Sequence, residues 1–170
     1  MLTYIVVDTS YWLELFKVPR HYKNEHHQKI KQHFDVATKN TFRFYLPIPV
    51  LFELANHIAH VDNGFERQGL AQKFSSIVSK GIDINEPLFN VIPCMAFPVA
   101  MDLKENLNFF VDRFEMEFSP QGLGFTDSSI ILEAESLKEE TNIVHIWTLD
   151  QALKAREPDT ESNAFIGVHK

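Results

Sequence analysis

The segment that most restricts the fold of this chain is residues 2–7, Leu-Thr-Tyr-Ile-Val-Val. It is almost wholly apolar and rich in β-formers, without alternation between inward and outward positions. Such a run suits a strand covered on both faces, as in parallel sheets flanked by helices. It stops at Asp8-Thr9-Ser10, a sequence that favours a helix N-terminus, and residues 11–16 continue as a helix. The same alternation recurs along the chain. Strands are predicted over 43–46, 88–92, 143–147 and 165–168. Helices are predicted over 22–38, opening at Pro47 and Pro49, over 65–79 and 98–117, from 126, and over 151–155. Strands alternating with helices predict an α/β protein with a mainly parallel central sheet.

The helices carry apolar stripes at helical spacing: Ile48, Leu51, Phe52, Ala55, Ile58 and Ala59; then Leu103, Leu107, Phe110, Val111 and Phe114; then Ile130, Ile131, Ala134 and Leu137. Of the 15 phenylalanines, those at such spacing (Phe52, Phe74, Phe110, Phe114) read as core rather than as a base-stacking surface. The segment 119–124 reads as a loop.

The 170 residues are 45% hydrophobic and 23% charged, a globular composition of one-domain size. The single cysteine, Cys94, excludes an internal disulfide and a thiolate zinc cluster and reads as a small buried hydrophobe. There is no membrane-length apolar run, and 2–7 is too short for a signal-peptide core, so a cytoplasmic protein is expected. The net charge of −7 opposes indiscriminate nucleic-acid binding. It is unevenly spread, at +2 over residues 1–85 and −9 over 86–170. Between 17 and 43 seven cations face only Glu25 and Asp35, with Lys23, Lys29 and Lys31 as candidate RNA-guiding residues. The plainer reading of that stretch is a solvated helix face.

Four carboxylates stand out by position. Asp8 ends the first strand and Asp150 follows the strand over 143–147. Parallel α/β sheets bind ligands beyond the carboxyl ends of their strands. Asp127 opens the helix near 126, and Glu53 lies in the first turns of the helix behind Pro47. Helices antiparallel to the strands would bring both to the same edge. Each aspartate alone is an ordinary N-cap or first-turn acid, and Glu53 alone an ordinary helix residue. Together, with no lysine or arginine adjacent in sequence to any of them, they would repel and resist ionisation unless a divalent cation joined them. Hard oxygen donors with several waters suit Mg²⁺ or Mn²⁺, and such sites commonly act on phosphate esters.

Val6-Val7-Asp8-Thr9-Ser10, Pro49-Val50-Leu51-Phe52-Glu53-Leu54, Gly124-Phe125-Thr126-Asp127-Ser128-Ser129-Ile130 and Trp147-Thr148-Leu149-Asp150, in that order, resemble the motifs of the PIN-domain family of metal-dependent nucleases. The resemblance runs from residue 3 to about 155. It implies a Rossmann-like three-layer α/β/α sandwich. It also implies a ribonuclease acting on single-stranded or structured RNA, with one or two Mg²⁺ or Mn²⁺ ions held by Asp8, Asp127 and Asp150. Glu53 would complete the set or orient the attacking water, and Ser10 would hydrogen-bond a metal water or the phosphate, unless it only caps its helix. Many small bacterial members are homodimeric toxins restrained by a small antitoxin protein. This chain departs from those compact members in its length, with extra helical material around 61–122, and in its acidic second half. The competing expectation is a catalytically silent PIN-like binding module. A haloacid-dehalogenase-like phosphatase would need an aspartate where Ser10 stands. A dinucleotide-binding fold would need a glycine-rich turn after the first strand, and a phosphate-binding P-loop is absent. His57 and His60 are spaced for a shared metal but are too few for a usual zinc site, and the adjacent His26 and His27 point apart on a helix.

Overall fold

The computed structural model describes residues 3–40, 42–82, 89–92, 103–140 and 143–167. Cys94, residues 98–102 of the helix expected over 98–117, and Val168 lie outside them. The strands are β1 (Thr3–Val7), β2 (Arg43–Pro47), β3 (Phe89–Ile92) and β4 (Ile143–Trp147). All three pairings are parallel, in the order β3-β2-β1-β4. β1 is therefore central, and its Tyr4, Ile5, Val6 and Val7 are all buried. That burial explains the missing alternation in its sequence. The α/β class with a parallel sheet is thus present.

The helices are α1 (Thr9–Phe16), α2 (Asn24–Lys39), α3 (Ile48–Ala59), α4 (Gly64–Ile82), α5 (Leu103–Arg113), α6 (Phe125–Glu139) and α7 (Gln151–Lys154). A π-helical turn, Phe114–Phe118, and a 3₁₀ turn, Ser119–Gln121, join α5 to α6 across the segment read as a loop. No helix among the described residues is long and apolar enough to cross a membrane.

Two packing centres hold the sheet. Trp147 ends β4 and gathers aromatic rings, lying 5.1 Å from Phe34 of α2, 5.5 Å from Phe44 of β2 and 5.6 Å from Tyr11 of α1. The second centre is α6, which touches β1, β2 and β4. Its Ile130, Ile131, Ala134 and Leu137 are buried as expected, and so are Ser128, Ser129 and Glu133. Ser128 and Ser129 turn their hydroxyls back onto the carbonyls of Gly124 and Thr126, so they enter the core without orphaned donors.

Two apolar stripes differ from the sequence expectation. On α3 the buried residues are Val50, Leu54 and Ile58, whereas Phe52 is 72% exposed and Ala59 is exposed. The helix is apolar on several sides, so spacing alone did not select the side that meets the core. On α5 and the π turn, Phe110 is buried and Phe114 partly so, both against Phe125, while Leu107 and Val111 are exposed. Phe74 is partly buried against the core.

The strand expected over 165–168 is absent across its described residues, 165–167. The outer edge of β4 is already engaged. Asp159 accepts from Val144 N at 2.8 Å and donates its own N–H to Val144 O at 3.2 Å. Glu157 accepts from Ile146 N, and Lys154 Nζ donates to Ile146 O. Side chains and an irregular segment thus cover an edge that would otherwise recruit another strand. Phe165 is instead buried, its carbonyl held by the Tyr11 hydroxyl at 2.6 Å.

Replacing Asp159 with alanine leaves Val144 N and Lys138 without this carboxylate, and about 1–2 kcal/mol of unfolding free energy is expected to be lost. Lys138 holds the Asp159 carboxyl below its ordinary value of 3.8. The stabilisation is therefore complete above 3.8 and fades as pH falls through the lowered value. Urea unfolding of both proteins at neutral and acidic pH checks the size and the trend.

Candidate active site

Asp8 sits one residue beyond β1. Its N–H donates to Trp147 O at 2.9 Å, carrying the β1–β4 pairing one step past the strands. The carboxylate caps α1, accepting Thr9 N on Oδ1 at 2.6 Å and Ser10 N on Oδ2 at 3.2 Å. Two hydroxyls also converge on Oδ2, Ser10 Oγ at 2.6 Å and Thr148 Oγ1 at 2.8 Å. Each hydroxyl is itself held from the β4 side. Leu149 N donates to Ser10 Oγ, and Asp150 N donates to Thr148 Oγ1. A continuous hydrogen-bond chain therefore links the acid after β1 to the acid after β4.

Asp8 is only 6% exposed. Burial pushes its carboxyl above the ordinary range, and the bonds from Ser10, Thr148 and Thr9 pull the other way. Glu53, in the second turn of α3, accepts the Thr9 hydroxyl at 2.8 Å, so the residue after Asp8 fastens the second acid. Asp127 is the third residue of α6 and reaches back to accept Gly124 N at 2.7 Å, half of a capping box. Asp150 caps the short α7 through Ala152 N and Leu153 N, both on Oδ1.

The charges of the other three acids act on Asp127. The Asp127 carboxyl is pushed up to about 6, first by burial and then by the charges of Asp8, Asp150 and Glu53, against the lowering bond from Gly124. Among the described residues, none of the four is ion-paired to a lysine, arginine or histidine. The donor chemistry is that of a hard divalent cation, carboxylate oxygens without a competing cation. Among the described residues, no three His, Cys, Asp or Glu side chains stand in the geometry of a metal-ligand set. The carboxylates are turned to their own hydroxyls and helix ends instead.

The Ser10 hydroxyl lies between Asp8 and Leu149 N and orients the acid. Thr9 and Thr148 were not singled out from the sequence. The available signal was a hydroxyl residue beside Asp8 and another two before Asp150. Lys23, Lys29 and Lys31 lie exposed on or beside α2 and do not join the acids. The Lys23 N–H donates to Glu14 Oε2, and Lys29 Nζ lies 5.4 Å from the centre of the Phe165 ring. His26 is buried against Glu14, while His27 turns its Nδ1 to the Glu14 carbonyl. A groove of about 850 Å³ runs between α2 and β4, lined by Lys29, His33 and Trp147 among others, and none of the four acids lines it. No family model matches the chain, and no curated protein sequence does.

The raised Asp127 carboxyl makes its charge a cost to the folded state. That cost is complete above about 6 and gone below 3.8, where both folded and unfolded forms are protonated. Asp127→Asn keeps an acceptor for Gly124 N, so it is expected to stabilise the protein at pH 7.5 by about 1 kcal/mol, the full shift being discounted for solvent at this half-buried group. The gain should vanish near pH 3.5, roughly where the ordinary carboxyl titrates. Thermal unfolding across that range measures it.

Proposed function

We propose that this protein is a Mg²⁺- or Mn²⁺-dependent ribonuclease of the PIN type, with a Rossmann-like three-layer α/β/α core. The observation that carries the proposal is the placement of Asp8, Glu53 and Asp150, from separate stretches of chain, where their charges bear on Asp127, with no paired cation on any of the four among the described residues. A structural role would be served by one cap at each helix start; it would not require three other acids to act on Asp127, whose carboxyl is raised first by burial and then by them.

Asp8, Asp127 and Asp150 would hold the ion, and Glu53 would orient the attacking water. A divalent cation bound there lowers the pKa of a coordinated water and offsets charge on the scissile phosphate. The chain's own contribution is preorganisation. Ser10 and Thr148 fix the Asp8 carboxylate from two sides, and Thr9 fixes Glu53. Hydrogen bonds to carboxylate ligands set their orientation and are worth roughly tenfold to a hundredfold in metal affinity or activity in characterised sites.

One observation favours a second reading, a silent binding module with the same fold: no three of these side chains form a ligand set as they stand. Metal titration and cleavage separate the two. The nuclease reading expects cleavage of mixed-sequence single-stranded RNA with Mn²⁺ or Mg²⁺, abolished by EDTA. Asp8→Asn is expected to lower that cleavage at least a hundredfold, roughly the scale on which removing one electrostatic catalytic group acts, with an unchanged circular dichroism spectrum. A folded wild type that neither binds Mn²⁺ in calorimetry nor cleaves RNA establishes the binding module.

A further inference from the structure

The face of α3 that carries Glu53 continues one turn further into His57. Glu53 and His57 are four residues apart, and the charge of Glu53 acts on the His57 imidazole. Beyond them lies a concave pocket of about 250 Å³, lined by Arg20, His21, His57, His60, Val61 and Glu66 among others. The His21 and His57 rings meet edge-on with centroids 4.4 Å apart. Lys17 is the left-handed C-cap of α1, and Arg20, directly before His21, also takes a left-handed backbone conformation with φ of 68°. The exposed Arg20 guanidinium pairs with Asp62, just before α4.

The pocket's chemistry selects among ligands. Arg20 and Asp62 neutralise each other, and Glu66 adds a negative charge. The His57 pKa is lowered, first by burial and then by His21 and His60, against Glu53, so its neutral form is favoured. An additional anion gains little in such surroundings. A flat, neutral, hydrogen-bonding ring gains more, from imidazole faces and edges and from the apolar side of Val61.

We propose that this pocket takes one unpaired nucleobase of the strand whose backbone lies at the acid cluster. The proposal rests on the nuclease reading for the identity of the strand. His21 and His57 are then specificity-determining residues that set which phosphodiester reaches the acids.

The test uses the full chain with Ca²⁺ in place of Mg²⁺ and Mn²⁺, so that the uncompensated acids do not repel the strand, and fluorescent 2′-O-methyl oligonucleotides whose integrity is checked on a gel after each titration. A single abasic position is moved along the strand, and affinity is read by anisotropy. One position is expected to cost about tenfold, within the range for loss of one stacked base. In the His21→Ala/His57→Ala double variant that position should cost no more than its neighbours. On the wild-type protein, the His21 and His57 side-chain NMR signals should shift with the intact oligonucleotide and not with the one abasic at that position. This readout needs no variant to fold. A flat abasic scan overturns the proposal, as does an affinity loss that follows neutral methylphosphonate links instead of missing bases. Absence of oligonucleotide binding by wild type also overturns it. Metal-dependent cleavage alongside a flat scan would remove the pocket and leave the nuclease. A base-dependent, histidine-dependent scan without cleavage would remove the nuclease and leave the pocket.

Discussion

The parallel pairing of β1 with β4, extended by the bond from Asp8 N to Trp147 O, decides most of what surrounds the site. It sets two strand ends side by side and so places two acids, Asp8 and Asp150, at one edge. A carboxylate buried at such an edge must find donors or lose its charge. Two hydroxyls and two backbone N–H groups supply them. The two hydroxyls are bonded in turn by N–H groups beyond β4, so the same contacts that keep Asp8 ionisable also close the sheet edge. Stability and site geometry therefore cannot be altered independently at Ser10 or Thr148.

Among the described residues, Arg113, Lys138, Lys154 and Arg156 of the second half of the chain are committed to ion pairs. Arg113 bridges Glu117 and Glu135, and Arg156 bonds Glu117, tying the π turn, α6 and the C-terminal segment together. Lys154 joins Glu157 and Glu161 behind β4, and Lys138 holds Asp159. The −9 charge of residues 86–170 is thus partly answered within structural networks, away from the four acids.

The sequence was most legible where local chemistry and tertiary environment agreed. The run at 2–7 is almost wholly apolar without alternation, which marks a strand covered on both faces, and Asp8 ends it. The helix start at Thr9 followed from the capping acid Asp8, and α6 begins at Phe125, one residue before the expected Thr126. Legibility failed where a residue's fate depends on which neighbour reaches it first. Phe52 satisfies helical spacing as well as Leu54 does, and only the sheet's position on one side of α3 tells them apart. Residues 165–167 have strand-like composition, but the edge they would pair with is occupied by Asp159, Glu157 and Lys154, side chains that no strand pattern reveals. Thr148 was hidden for a third reason. Its role arises from Asp8, 140 residues away in the chain, and a lone threonine at a strand end carries no sign of that partner.

The acid cluster and the imidazole pocket are two answers to one problem on a single helix. Glu53 and His57 lie on the same face of α3, and each modifies what the other side can bind. Negative charge at Glu53 favours a cation beside it. The same charge draws a proton toward His57, while burial and the neighbouring imidazoles oppose it more strongly. On the readings proposed above, a cation-binding surface and one that takes a neutral ring would meet within about one helical turn, roughly 5.4 Å. A nucleotide presents that same division between its phosphate, which a metal ion can neutralise, and its base.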